Sequence, residues 1–252
     1  MDLSSKAAAS AIHALAARSG AADIVVHAAC CKPGQGGTED YVRGNVLTAT
    51  YLAAALEKCP PRRLICISTL SVYGEPESNP VAETAVSRCT HPYPTTKLAG
   101  EMALGVLREN VQITVLRLPS LFGRGQADSF VDGLAKLALS DRRIELFGEG
   151  KQARDALHVE EAVGAIKACV DHPPREQYTV LNLGRGERIE AGRYARLLVE
   201  LTGSKSEIVP SPARSNQPYD LFADIARARQ MIDFHPASLP SCLAGYIHEI
   251  RG

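Results

Sequence analysis

The chain has 252 residues, and its 28 Lys and Arg balance 28 Asp and Glu, for a formal net charge of zero. Balanced charge argues against an electrostatic nucleic-acid binder, and no run of about 18 apolar residues suggests a membrane span. Hydrophobic residues are 45% and charged residues 22%, ordinary globular usage that can build a sizeable core.

Residues 4–18 are rich in alanine, with Ile12 and Leu15 at helical spacing, and predict a helix. Asp23 to Ala29 is a short apolar run with β-branched residues, which predicts a strand buried on both faces. Residues 31–38 hold Pro33 and three glycines and read as loop. A helix is expected over 39–58, stopping before Pro60-Pro61, then a second strand from Arg63 to Ser68. After a loop to about Pro92 come a helix over 93–109 and a third strand from Ile113 to Leu118. Past residue 120, glycine and charge become frequent, and one late strand, Thr179–Leu183, is expected to return to the sheet.

Strands alternating with helices predict a parallel α/β sheet, whose ligands bind at the carboxyl ends of the strands. The three strands end in small or polar residues: Ala28-Ala29, Ser68-Thr69 and Pro119-Ser120. Seven cysteines without a Cys-x-x-Cys pair read as free thiols of a reducing cytoplasm. The seven histidines show no metal-ligand spacing, so no metal is expected.

Tyr93 and Lys97 stand four apart, on one face of a predicted helix. An ammonium beside a phenol favours the phenolate and lowers its pKa, which suits proton exchange with a substrate hydroxyl. The spacing alone equally describes a surface pair. Thr69, at the end of the second strand, offers a hydroxyl to the same substrate oxygen, or a cap for the turn that follows. Gly34-Gln35-Gly36-Gly37 lies between a strand and a helix, but Glu39 stands where a Gly-x-Gly-x-x-Gly phosphate loop needs its last glycine. The segment reads instead as a flexible loop at the substrate mouth.

These pieces occur in a longer ordered set: His27-Ala28-Ala29, Asn45-Val46, Ser68-Thr69-Leu70-Ser71-Val72-Tyr73-Gly74, and Pro92-Tyr93-Pro94-Thr95-Thr96-Lys97. Leu116-Arg117, Phe122-Gly123, Phe147-Gly148-x-Gly150, Arg154-Asp155-x-x-His158-Val159, Asn182-x-Gly184-x-Gly186 and Ala223-Asp224-Ile225-Ala226-x-Ala228-Arg229 follow. The chain thereby resembles, over nearly its whole length, the extended short-chain dehydrogenase/reductases, the NAD-dependent epimerase/dehydratase group.

The resemblance implies a Rossmann-like doubly wound sheet over residues 1–118 and a smaller α+β substrate lobe over 119–252. It implies a catalytic set of Thr69, Tyr93 and Lys97, with Tyr93 as general acid/base. It places His27, Ala28, Ala29, Asn45, Ser68, Tyr93, Lys97 and Pro119 at an NAD or NADP cofactor. Ser71, Ser120, Arg154 and Arg214 are implied at a nucleotide-sugar, the two arginines on its diphosphate, a geometry that suits bidentate guanidinium recognition. Arg154-Asp155 also fits a simple loop ion pair. The family's dimer bundle corresponds to helices 39–58 and 93–109, so a homodimer is expected.

The departures are informative. Leu70 and Ser71 stand where sugar dehydratases of the family carry acidic residues, so an epimerase or ketoreductase fits better. Ser120 replaces a common Asn, and Pro94 follows the tyrosine as in sterol-dehydrogenase-like members, which keeps a ketone or sterol-like dehydrogenase as an alternative. No glycine-rich pyrophosphate loop opens the sequence, and Asp2-Leu3-Ser4 resembles the stretch after the family's third strand. The start is thus expected about 55–60 residues late, the size of two βαβ units sharing a strand. That leaves the strand at 23–29 as a sheet edge, and a cofactor-poor nucleotide-sugar-binding protein as a further alternative.

Overall fold

The computed structural model describes residues 2–19, 22–126, 129–211 and 219–251. In chain order its elements are α1 (Lys6–Ser19), β1 (Ile24–His27), α2 (Thr38–Tyr41), a π-helical stretch (Val42–Leu47), α3 (Thr48–Lys58), β2 (Arg63–Thr69) and a 3-10 turn (Leu70–Tyr73). Then come α4 (Pro92–Gly105), a 3-10 turn (Val106–Glu109), β3 (Gln112–Leu118), β4 (Ser120–Phe122), α5 (Phe130–Leu139), β5 (Ile144–Phe147) and a 3-10 turn (Gly148–Gly150). The last are β6 (Ala156–His158), α6 (Val159–Asp171), β7 (Tyr178–Asn182), α7 (Ala191–Thr202), β8 (Ile208–Ser211), α8 (Ala226–Ile232) and α9 (Leu239–Arg251). Among the described residues, no helix is long and apolar enough to cross a membrane.

The chain forms two compact units. The first comprises Met1–Gly74, Val86–Arg117 and Ala168–Leu181; the second comprises Glu75–Ala85, Leu118–Lys167 and Asn182–Gly252. The two units are interleaved along the chain. Residues 168–181 join the first unit because β7 adds to its sheet. Residues 75–85 join the second because Val81 donates its N–H to the Phe222 carbonyl and accepts from the Asp224 N–H.

The sheet of the first unit has the order β1-β2-β3-β7, with β1 parallel to β2. The unbroken apolar runs of β2 and β3 suit interior strands covered on both faces, and Leu64, Ile65, Ile113, Val115 and Leu116 are fully buried. Buried Ala49, Leu52, Ala53 and Leu56 of α3 and Leu104 of α4 pack with this face, and α1 contributes Ile12. The edge strand β1 corrects the expectation of burial on both faces: Val26 is 43% exposed.

The helix expected over 39–58 runs from Thr38, but its middle is π-helical. The wide turn brings Gly44 against Cys31, where a Cβ would lie 2.6 Å from the Cys31 Cβ. Such stretches commonly mark functional sites. Helix α4 starts with Pro92, whose missing N–H costs nothing in a first turn. His91 caps it, its Nδ1 accepting from the Tyr93 N–H at 3.2 Å.

The second unit holds two small parallel pairs, β4 with β6 and β5 with β8. The sequence reading expects only the late strand here. These strands have three or four residues each, too short to show a period. The unit's core gathers Phe122, Leu134, Tyr194, Leu198, Leu243 and Tyr246.

Candidate active site

In the first unit, β2 ends at Thr69, which begins the 3-10 turn. Its Oγ1 accepts from the Ser71 N–H at 3.2 Å, so it does cap the turn. The same hydroxyl acts on the Tyr93 phenol, favouring its ionised form. Tyr93 is in the first turn of α4, with Lys97 one turn on and Glu101 another, all on one face. Lys97 is buried, and its Nζ donates to the Ile67 carbonyl at 2.7 Å.

Burial pushes the Tyr93 phenol well above its ordinary range, the Cys30 thiol adds to that, and the Thr69 hydroxyl opposes it. The net direction corrects the expected lowering by Lys97. Desolvation of the phenolate dominates in the protein alone, and the ammonium is engaged by a strand carbonyl. His27, at the end of β1, is also buried; desolvation and the nearby Lys97 charge push it down to about 4. It is neutral at pH 7.

Two residues expected at the cofactor have their side chains engaged within the protein. Asn45 Oδ1 accepts from the Cys31 N–H at 2.9 Å, and its Nδ2 donates to Thr96 Oγ1 at 3.0 Å. The Ser68 hydroxyl donates to the Glu101 carboxylate. Glu101 also receives Arg117 in a fork of 3.2 and 2.8 Å, and Arg117 Nη1 donates to the Tyr73 hydroxyl at 2.8 Å. Sequence reading gives no role to Glu101, although its spacing from Lys97 and Tyr93 on one helix face is a signal. Tyr41, Cys30 and Cys31, which also face Tyr93, carry no such signal.

Ala28, Ala29 and Ser71 also belong to the first unit; Pro119, exposed Ser120 and half-buried Arg154 belong to the second. Arg214 lies outside the described residues. Burial lowers the Arg154 pKa, and Tyr219 and Asp220 oppose that. The Asp155 carboxylate accepts from the Arg185 N–H at 2.9 Å and the Ala223 N–H at 3.0 Å, and burial pushes it up to about 6. A Cβ on Gly184 would collide with that carboxylate, which accounts for the glycine after Asn182. Chain folding also gathers His158, Glu160 and Glu249, with one ligand atom of each within 4.8 Å of the others. Histidine spacing could not show this group, because Glu249 arrives from α9.

The family model of the NAD dependent epimerase/dehydratase family matches residues 2–184. The chain belongs to that family. It is similar to an uncharacterized UDP-glucose epimerase, YtcB, of Bacillus subtilis, with 29% identity over 79% of this chain and 63% of that protein. It is also similar to the UDP-glucose 4-epimerase of Streptomyces lividans, with 28% identity over 79% of this chain and 65% of that one. The chain thus spans less than two thirds of the length of these relatives. Among solved structures, MoeE5 in complex with UDP-glucuronic acid and NAD superposes with a TM-score of 0.81 and 28% identity, covering 91% of this chain and 79% of that one.

Proposed function

We propose that this family member takes part in epimerising a nucleotide-sugar, with Thr69, Tyr93 and Lys97 handling the proton. The observation that supports the reading most is the placement of Tyr93 and Lys97 one turn apart on α4, with the Thr69 hydroxyl at the end of β2 acting on the Tyr93 phenol. Two hydroxyls at a strand end are well suited to hold one substrate oxygen. The UDP-sugar names of the relatives point the same way.

The donors fit a dinucleotide. An ammonium has three N–H donors, and the Ile67 carbonyl takes one, which leaves Lys97 two for ribose hydroxyls. His27, neutral and beside Lys97, adds no competing positive charge. Ala28 and Ala29 leave room for close approach. Bound NAD supplies a hydride acceptor, and then a donor, at the sugar carbon that bears the reacting hydroxyl. In its phenolate form Tyr93 accepts that hydroxyl's proton and gives it back; Thr69 orients the oxygen. Leu70 and Ser71 offer no acid for water elimination, which favours epimerisation over dehydration. Arg154 serves the diphosphate. A homodimer through helices 39–58 and 93–109 is part of the reading, supported by Met102 and Val106, which are 69% and 63% exposed.

The test incubates the protein with NAD and UDP-hexoses or UDP-hexuronates and follows the sugar protons by NMR. Inversion at one carbon without accumulating NADH supports the reading. Accumulating NADH, or no inversion of any nucleotide-sugar, contradicts it.

A further inference from the structure

Tyr41 ends α2, just before the helix widens into its π stretch. Its neighbours Asp40 and Val42 are exposed, yet Tyr41 is buried. Its ring lies edge-on to Tyr93, with centroids 6.0 Å apart and planes at 63°. It also meets the His91 ring edge-on at 6.2 Å and 66°. His91 is the residue that caps α4 through the Tyr93 N–H, so Tyr41 touches both the cap and the residue it caps. The aliphatic cluster around Leu52 and Leu64 does not include it.

The Tyr41 hydroxyl accepts from the Gly34 N–H at 3.1 Å. Gly34 sits at φ +79 in a tight turn, where the Lys32 N–H donates to Gln35 Oε1 and the Gln35 N–H to the Lys32 carbonyl. The turn therefore ends on the phenol, and the phenol's ring ends on Tyr93. Edge-to-face pairs at such separations favour one relative orientation. A Tyr93 ring that swings away from Thr69 loses that contact.

We propose that Tyr41 is a positioning residue: its ring holds Tyr93 in the orientation that meets Thr69, and its hydroxyl ties that orientation to the 32–37 loop. The inference deepens the acid–base reading of Tyr93 and rests on it. Glycine content leaves the loop mobile in the absence of this tether, so loop movement and Tyr93 orientation change together.

The experiment labels the whole chain with 3-fluorotyrosine and assigns the Tyr93 fluorine resonance with Tyr93→Phe. Tyr41→Phe keeps the ring and removes the acceptor; Tyr41→Leu removes the ring. The groups that face Tyr93 are Cys30, Cys31, Thr69 and Tyr41, and only the last changes. Tyr41→Leu is expected to shift and broaden the Tyr93 resonance, because the ring samples more than one orientation and the phenol gains water. Tyr41→Phe is expected to leave that resonance in place while Gly34 amide exchange quickens at least tenfold. A Tyr93 resonance of unchanged position and width in Tyr41→Leu overturns the positioning role. Unchanged Gly34 exchange in Tyr41→Phe overturns the tether, and this conservative variant decides the matter if the leucine variant does not fold. These measurements need no substrate, so they stand apart from turnover: full activity in Tyr93→Phe counts against the acid–base reading, not against the contact.

Discussion

Asn45 Nδ2 donates to Thr96 Oγ1 at 3.0 Å, joining the π stretch to the first turns of α4. Thr96 Oγ1 in turn lies 2.9 Å from the Tyr93 carbonyl, so the backbone beneath Tyr93 is braced from the neighbouring helix. Asn45→Ala removes both this donor and the acceptor for the Cys31 N–H. A loss of about 2–3 kcal/mol in urea unfolding is expected for the orphaned buried partners. A loss below about 0.5 kcal/mol contradicts the brace.

Gly100 faces the same junction. A Cβ there would lie 2.8 Å from the Asn45 carbonyl oxygen, a backbone atom that cannot swing aside. Gly100→Ala gains helix propensity of about 1 kcal/mol, yet it must push α4 off the π stretch. Net destabilisation by about 1–3 kcal/mol is expected, as for other overpacked contacts. A rise in melting temperature would show that the two helices have slack.

Glu101 and Arg117 form a buried pair at 2.8 Å beneath the strand ends. Breaking one side leaves the other charge without its partner. Arg117→Met and Glu101→Met are each expected to cost about 3–5 kcal/mol, whereas the double variant costs much less than the sum. Additive losses in a double-mutant cycle contradict a coupled pair.

His27 and Asp155 predict opposite acid limbs. His27 falls from an ordinary value near 6.5 to about 4, so the unfolded chain takes the proton first as pH drops. Its contribution to stability is complete above pH 6.5 and is lost as pH falls towards 4, by about 3 kcal/mol. Asp155 rises to about 6, so the folded state takes that proton first. Its burial destabilises the fold above pH 6, and this cost is relieved as pH falls towards 4, again by about 3 kcal/mol. Urea titrations between pH 4 and 7 should therefore show His27→Gln gaining on the wild type as pH falls, and Asp155→Asn losing ground. Parallel pH curves for the variants and the wild type contradict both environments.

The interior strands β2 and β3 were legible because their seven-residue runs are long enough to announce burial, whereas β1 read as a strand but is a partly exposed edge. The placement of Thr69, Tyr93 and Lys97 was legible because two of them share a helix face and the third ends a strand. The short strands β4, β5, β6 and β8 were not, since three or four residues carry no period. Tyr41 was hidden for a different reason. Its partners Gly34, His91 and Tyr93 come from a loop and from a distant helix, and the π stretch that sets its helix against α4 has no sequence mark. Asn45 shows the limit of motif matching: hydrogen bonds to Cys31 and Thr96 engage its side chain.

The measurement that bears most directly on the account is the turnover of Tyr93→Phe beside the wild type, with NAD and the nucleotide-sugar that the wild type inverts. Loss of the phenol oxygen removes the proton acceptor and leaves the ring against Tyr41. The account predicts a fall in kcat of about 10²–10⁴-fold, with the melting temperature and the binding of the nucleotide-sugar retained. Wild-type turnover in Tyr93→Phe contradicts it.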